Sequence, residues 1–156
     1  MIKGKKIIIQ GDGTSLWILT HNTDFAVGIV GLFGNDKAIG EAFQITSDEL
    51  LTWNQIYSLF AKELGVELNA IHIPSDFIAK YNIDTGSSLL GDKAHSVIFD
   101  NTKIKSLVPE FNPVIKFEEG VKSIVQWYKN NPDWQIINST INDNIENIIN
   151  KYEQNL

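Results

Sequence analysis

The sequence predicts a mixed α/β domain, built from short strands and about five to six helices, and three stretches carry that reading. A β-branched run, Ile7-Ile8-Ile9, leads through Gln10 into Gly11-Asp12-Gly13, a strand followed by a sharp reversal. From Trp53 to Leu64 the apolar residues Trp53, Ile56, Tyr57, Phe60, Ala61 and Leu64 recur at helical spacing. Near the end Ile141, Ile145, Ile148, Ile149 and Tyr152 recur at spacings of three and four, so one face of a final helix over about 140–153 needs a partner.

Taken in order, residues 6–10 read as a strand, and both glycines of the turn can take positive φ and let backbone pass close to a ligand or another strand. A second extended piece covers residues 16–20. Asn22 or Thr23 caps a helix reaching about Phe33 and stopping at Gly34-Asn35. Ala26, Gly28 and Gly31 within it suit close packing against another element. Residues 41–45 read as a strand that ends in the polar turn 46–49. Thr52 and Gln55 have capping-box spacing, and Gly65 ends the helix they open. Residues 66–73 read as a strand, and Pro74 opens a short helix with Phe77, Ile78 and Tyr81 on one face. Residues 82–93 read as a loop suited to covering a substrate. Residues 97–99 are extended, and Asp100 caps a one- to two-turn helix ending before Pro109. Residues 117–129 form a helix with Val121, Ile124, Val125 and Tyr128 inward. No linker, repeat or low-complexity tract divides residues 1–156, which read as a single unit.

Composition narrows the functions. At 156 residues and 43% hydrophobic the chain can build one compact domain. A net charge of −6 argues against a nucleic-acid groove or an anionic membrane surface, since both need a basic field. There is no cysteine, which excludes disulfides, thiolate zinc sites and cysteine nucleophiles. No run approaches a membrane span, and the apolar stretch before Gly11 is too short for a signal-peptide core; the expectation is a soluble, cytoplasmic chain. All 13 basic residues are lysine. Arginine grips pyrophosphate through a planar fork of donors, whereas lysine offers a point charge.

Motifs for chemistry are sparse. Gly11-Asp12-Gly13 has Leu16 where a dinucleotide fingerprint has its third glycine, so a structural turn is the better reading. His21, His72 and His95 are far apart and form no H-x-x-x-H pair, so no metal site is expected. No G-x-S-x-G occurs. Asp48-Glu49 and Glu118-Glu119 stand at helix starts, where acidic side chains complement the macrodipole.

Several steps in a fixed order nevertheless resemble one family. Gly11-Asp12-Gly13, Trp17 and His21-Asn22-Thr23-Asp24 are similar to a Gly-Asp-Gly turn, an arginine and a His-Val-Asp-Asp step. Residues 40–45 (GEAFQI) resemble G-x-x-Y-N-I, residues 51–55 (LTWNQ) x-T-x-x-E, Gly91-Asp92 R-x-G-D, and residues 99–103 (FDNTK) D-x-S-K. Residues 117–121 (FEEGV) with Trp127-Tyr128 resemble L-E-E-G-I…W-Y. The family is the extended short-chain dehydrogenase/reductases, the NAD-dependent sugar-nucleotide epimerases and dehydratases, and the likeness to its C-terminal, substrate-binding half covers roughly residues 6–130.

The resemblance implies the C-terminal part of an extended Rossmann-type fold without the N-terminal nucleotide-binding βαβ units. It implies a substrate site at Gly11, Asp12, Gly13, Trp17, His21, Gly91, Asp92 and Lys93, with Trp17 and Leu89-Leu90 at or beside the family's two arginine positions. The family's T-G-x-x-G-x-x-G turn is absent. So is its Y-x-x-x-K pair, because Tyr57, Tyr81, Tyr128 and Tyr152 are followed four residues later by Ala61, Thr85, Pro132 and Leu156. This chain is therefore expected to bind no cofactor and to catalyse nothing alone, while the full-length protein uses NAD or NADP. The partners implied are a small-molecule substrate, the Rossmann half of a full-length protein, and a second copy in a homodimer. The alternative is a non-catalytic module like the family's RNA-binding members, suggested by residues 43–48 (FQITSD) with Thr52; the acidic charge opposes it.

Overall fold

In the computed structural model, which describes residues 1–156, the first apolar run forms strand β1 (Ile7–Gln10) and its partner lies far away in sequence. Strand β4 (Ala70–Ile73) runs parallel to it, with Ile7 opposite Ala70 and Gln10 opposite Ile73. Parallel strands need cover on both faces, which is why both read as near-continuous apolar runs. Alternation sends Ile71 and Ile73 to one face and His72 to the other. Helices α3 (Ser75–Tyr81) and α7 (Ser139–Glu153) cover the first face, where Ile73, Ile78, Leu89, Ile148 and Ile149 form a buried cluster. Helix α2 (Trp53–Leu64) packs on β1 as well and reaches His72 through Asn54.

Helix α2 starts and stops as its sequence dictates. The Thr52 hydroxyl accepts from Gln55 N, Gln55 reaches back to Thr52, and Gly65 closes the helix at φ 71°. Strand β2 (Leu16–Trp17) pairs antiparallel with β3 (Leu51–Thr52) and ties the segment after the Gly-Asp-Gly turn to the start of α2. Helix α6 (Phe117–Asn130) lies against α2, with Phe117 edge-on to Phe60 at 5.7 Å.

A second core joins helix α1 (Asn22–Leu32) to α5 (Thr102–Leu107): Ile104, Val108 and Phe111 are buried, with Leu32, Phe43 and Ile45 against them. The small residues of α1 make this approach close. A Cβ at Gly31 would lie 2.2 Å from Val108 Cγ1, and one at Gly28 would lie 2.5 Å from Ile45 Cγ2.

The structure corrects several sequence expectations. Residues 82–93 are not a loop: they form α4 (Ile83–Ser88) and a five-residue π-helical turn, Leu89–Lys93. Asn82 Oδ1 caps α4 by accepting from Thr85 N, Gly86 sits directly on Ala79 of α3, and Leu89 enters the first core. Serines, threonine and glycines there look loop-like, but tertiary contact holds them helical, and the α-helices number seven. Residues 41–45 form no strand, having no strand beside them. Asn101 anchors that segment instead, donating from Nδ2 to Thr46 O at 2.8 Å. The strand expected over 66–73 is regular only where it meets β1, at Ala70–Ile73. Helix α1 begins one residue early, so the cap is His21, whose Nδ1 accepts from Thr23 N at 3.2 Å, and neither Asn22 nor Thr23. Ile124 is 52% exposed rather than inward, because α6 buries only the stripe of Gly120, Val121 and Val125. Only the C-terminal half of α7 meets the core: Ile148 and Ile149 are buried, but Ile141 is exposed.

Candidate functional site

The Gly-Asp-Gly turn forms one wall of an open cleft of about 400 Å³, whose other sides come from the end of β1, the start of α3 and the segment after the π-helical turn. Gly11 (φ 59°) and Gly13 (φ 73°) both occupy the left-handed region, which only glycine enters without strain. Between them Asp12 Oδ1 accepts from Thr14 N at 2.9 Å and from the Thr14 hydroxyl at 2.6 Å. Those bonds hold the Asp12 carboxyl below its ordinary range. Asn54 locks the turn from behind: its Nδ2 donates to Asp12 O at 3.0 Å, its N donates to Gly13 O at 3.0 Å, and its Oδ1 lies 2.8 Å from His72 Nε2.

The opposite wall is fixed through one carbonyl. Lys93 O accepts from Ser15 Oγ and from Trp53 Nε1, both at 3.2 Å. Leu16 N donates to Ser96 Oγ at 3.0 Å, and Val97 N donates to Leu16 O at 3.2 Å. Beside the cleft Trp17 stacks on Trp53 with ring centroids 5.5 Å apart, and Lys93 Nζ sits 5.4 Å from the Trp17 ring. Tyr57 continues the aromatic row, its hydroxyl pushed up in pKa by burial.

Of the residues singled out in the sequence, Gly11 and Asp12 line the cleft, and Gly13 is packed behind them against Asn54. Trp17 and Lys93 meet each other at its edge, and Gly91 and Asp92 belong to the π-helical turn that presents Lys93. His21 is engaged elsewhere, capping α1 with its ring edge toward Gly120 of α6. Sequence reasoning missed Gln10, Thr14, Ser15, Ser75 and Ser96 as cleft residues, and Asn54 as the clamp. Polar residues beside glycines and a proline carry no signal that separates a ligand site from a turn. His95 also lines the cleft, and no three His, Asp or Glu side chains gather as a metal-binding set.

The turn does not fit a dinucleotide pyrophosphate. Such a site needs a strand, a glycine turn and then a helix whose first N–H groups meet the phosphates. Here β1 and its turn lead into β2, and the next helix, α1, starts only at Asn22, well past the turn. The face of Gly13 is filled as well, since Asn54 Oδ1 lies 2.2 Å from where a Cβ would stand.

The fold is a mixed α/β one that recurs as part of larger enzymes, and comparison with solved structures gives the particulars. The chain is similar to a UDP-glucuronic acid 4-epimerase from Bacillus cereus in complex with NAD, with TM-score 0.63 and 20% identity over 84% of this chain and 36% of that one. It is similar to a dTDP-glucose 4,6-dehydratase from Bacillus anthracis in complex with NAD, with TM-score 0.64 and 22% identity over 85% and 37%. A 2'-dehydrokanamycin reductase of Streptomyces kanamyceticus is 24% identical over 108 residues, 69% of this chain and 30% of that protein. The chain thus spans about a third of the length of the proteins it matches. No protein-family model matches the sequence. The structural neighbours are NAD-dependent epimerases and dehydratases, the group its motifs resemble, and the fold is a mixed α/β part of theirs. No helix is long and apolar enough to cross a membrane.

Proposed function

We propose that this chain is the C-terminal, substrate-binding domain of an NAD(P)-dependent epimerase/dehydratase-like oxidoreductase that acts in the cytoplasm on a nucleotide sugar or related small molecule. It supplies binding surface and no chemistry of its own. The observation that carries this reading is the cleft at the Gly11–Ser15 turn, built on a fold otherwise found as a minor part of NAD-bound enzymes. The β1–β4 pair supports it too. Ile7 N and Gly11 N donate toward β4, which turns the N–H groups of Ile8 and Gln10 toward an edge with no strand beside it. A parallel sheet in a Rossmann-type domain continues across such an edge, and a nucleotide-binding half of the full-length protein would be a partner of that shape. Without it the chain is proposed to pair with a second copy.

Calorimetric titration of the chain tests the reading. The expected result is saturable heat with at least one sugar-class ligand and none with NAD or NADP. A dissociation constant near about 1 µM for either dinucleotide would overturn it. So would salt-dependent RNA binding without any sugar binding, which is the signature of the non-catalytic module.

A further inference from the structure

Resting on the substrate-domain reading, the geometry points to a ligand for this cleft that is a polyhydroxylated ring bearing a protonated amine, not one carrying a diphosphate. Two buried polar side chains open on the cleft. Gln10 and Ser75 are only 7% and 9% exposed and both line it; neither side chain hydrogen-bonds within the protein, and no unpaired side-chain N or O is sealed from solvent, so their polar atoms open outward. An apolar occupant would strip water from these open polar atoms without replacing its hydrogen bonds, so a partner that enters the cleft with donors and acceptors of its own is favoured over an apolar one. A ring hydroxyl both donates and accepts, and an amide and a hydroxyl do the same. Ser96 adds to this pattern: its Oγ accepts from Leu16 N, and its own O–H remains free to donate.

Charge separates an amine from a phosphate. The lining includes no lysine; its titratable side chains are the carboxylate of Asp12 and the imidazole of His95. Asp12 uses Oδ1 on Thr14, while Oδ2 has no partner in the protein. The nearby cation, Lys93, does not line the cleft; its Nζ donates to Ser88 Oγ at 2.8 Å, lies 3.6 Å from Asp92 and rests against Trp17. A diphosphate would meet a carboxylate with no fork of donors to grip it. An ammonium group would meet a carboxylate, in a chain whose net charge of −6 draws cations.

Three probes that differ in the charge they carry give the test, the cationic disaccharide of glucosamine, neutral cellobiose and anionic UDP-glucose, titrated into the full chain at about 50 mM and about 500 mM salt. The glucosamine disaccharide is expected to bind about tenfold tighter than cellobiose at low salt, with the preference shrinking at high salt. UDP-glucose should bind no better than cellobiose. Asp12→Asn keeps an oxygen for Thr14 and should erase the amine preference; Gln10→Ala should weaken both disaccharides alike. An amine preference that survives Asp12→Asn, or that salt does not touch, sinks the proposal. UDP-glucose as the tightest probe sinks it while leaving the substrate-domain reading standing, and binding of none of the three removes both.

Discussion

Gly13 is where local backbone and tertiary packing coincide. Its φ of 73° and the Asn54 side chain behind it both refuse a Cβ. Gly13→Ala should therefore lower stability by about 1–3 kcal/mol, read as a fall in the urea midpoint at unchanged slope; an unaltered midpoint would mean Asn54 moves aside freely. The carboxylates supply a pH prediction. Glu41, Glu118 and Glu146 are held below their ordinary range by hydrogen bonds from Lys103, Lys62 and Lys5, and Asp100 by Thr102. At Asp48 partial burial pushes upward, but hydrogen bonds from Lys105 and Asn101 outweigh it. A carboxyl lowered on folding contributes stability above its unfolded value and loses it as pH falls through the folded one. Stability should accordingly hold from about pH 8 to 6 and decline below about pH 4.5, as thermal melts across that range would register. These groups are surface pairs, so each contributes little alone.

Among the elements, α4 and the π-helical turn depend most on contact. Gly86 lets α4 rest on α3, where an added Cβ would lie 2.4 Å from Ala79 Cα, a backbone atom that cannot swing away. Gly86→Ala should cost about 1–3 kcal/mol, despite alanine's better helix propensity. It should also perturb the cleft, because Lys93 O holds Ser15 and Trp53. Amide exchange of the Ser88–Ser96 stretch would show this as faster exchange. On α1, Gly31→Ala presses on Val108 Cγ1 at 2.2 Å. Paired with Val108→Ala it should recover part of the loss, a coupling that a double-mutant cycle measures; strictly additive losses would show that the two helices do not meet there.

At the scale of the whole molecule, large apolar side chains remain uncovered. Val30 and Phe33 on and after α1 are 61% and 72% exposed, and Trp134 and Ile136 before α7 are 69% and 82%. Trp127 and Trp134 pair at 6.1 Å in the open. Apolar surface of this kind, with an open parallel edge at β1, favours association. Most oligomers close as two-fold dimers. Light scattering should give a mass above 17.5 kDa that rises with concentration, lowered by Phe33→Asp. A constant 17.5 kDa together with no binding of hydrophobic dye would show that the chain is content alone.

The parts of the fold legible in the sequence are those set by short-range physics. Thr52, Gln55 and Gly65 delimit α2 because caps act within a turn of backbone. Ile7 to Gly13 reads as strand and reversal because β-branching and positive φ are properties of single residues. The lining of the cleft was half legible: Gly11 and Asp12 announce a turn, but Gln10, Ser75 and Ser96 became neighbours only when β1 met β4 across the 59 residues between them and the π-helical turn brought its far end back. Likewise a strand over 41–45 needed a neighbour that never arrived, and a loop over 82–93 became helix because Ala79 and the first core hold Gly86 and Leu89. The sequence by itself determined the caps of α2, the turn, the missing arginine and the order of the motifs. Tertiary structure alone decided which polar groups face one another, because that depends on pairings between distant segments whose reward appears only after the chain has closed.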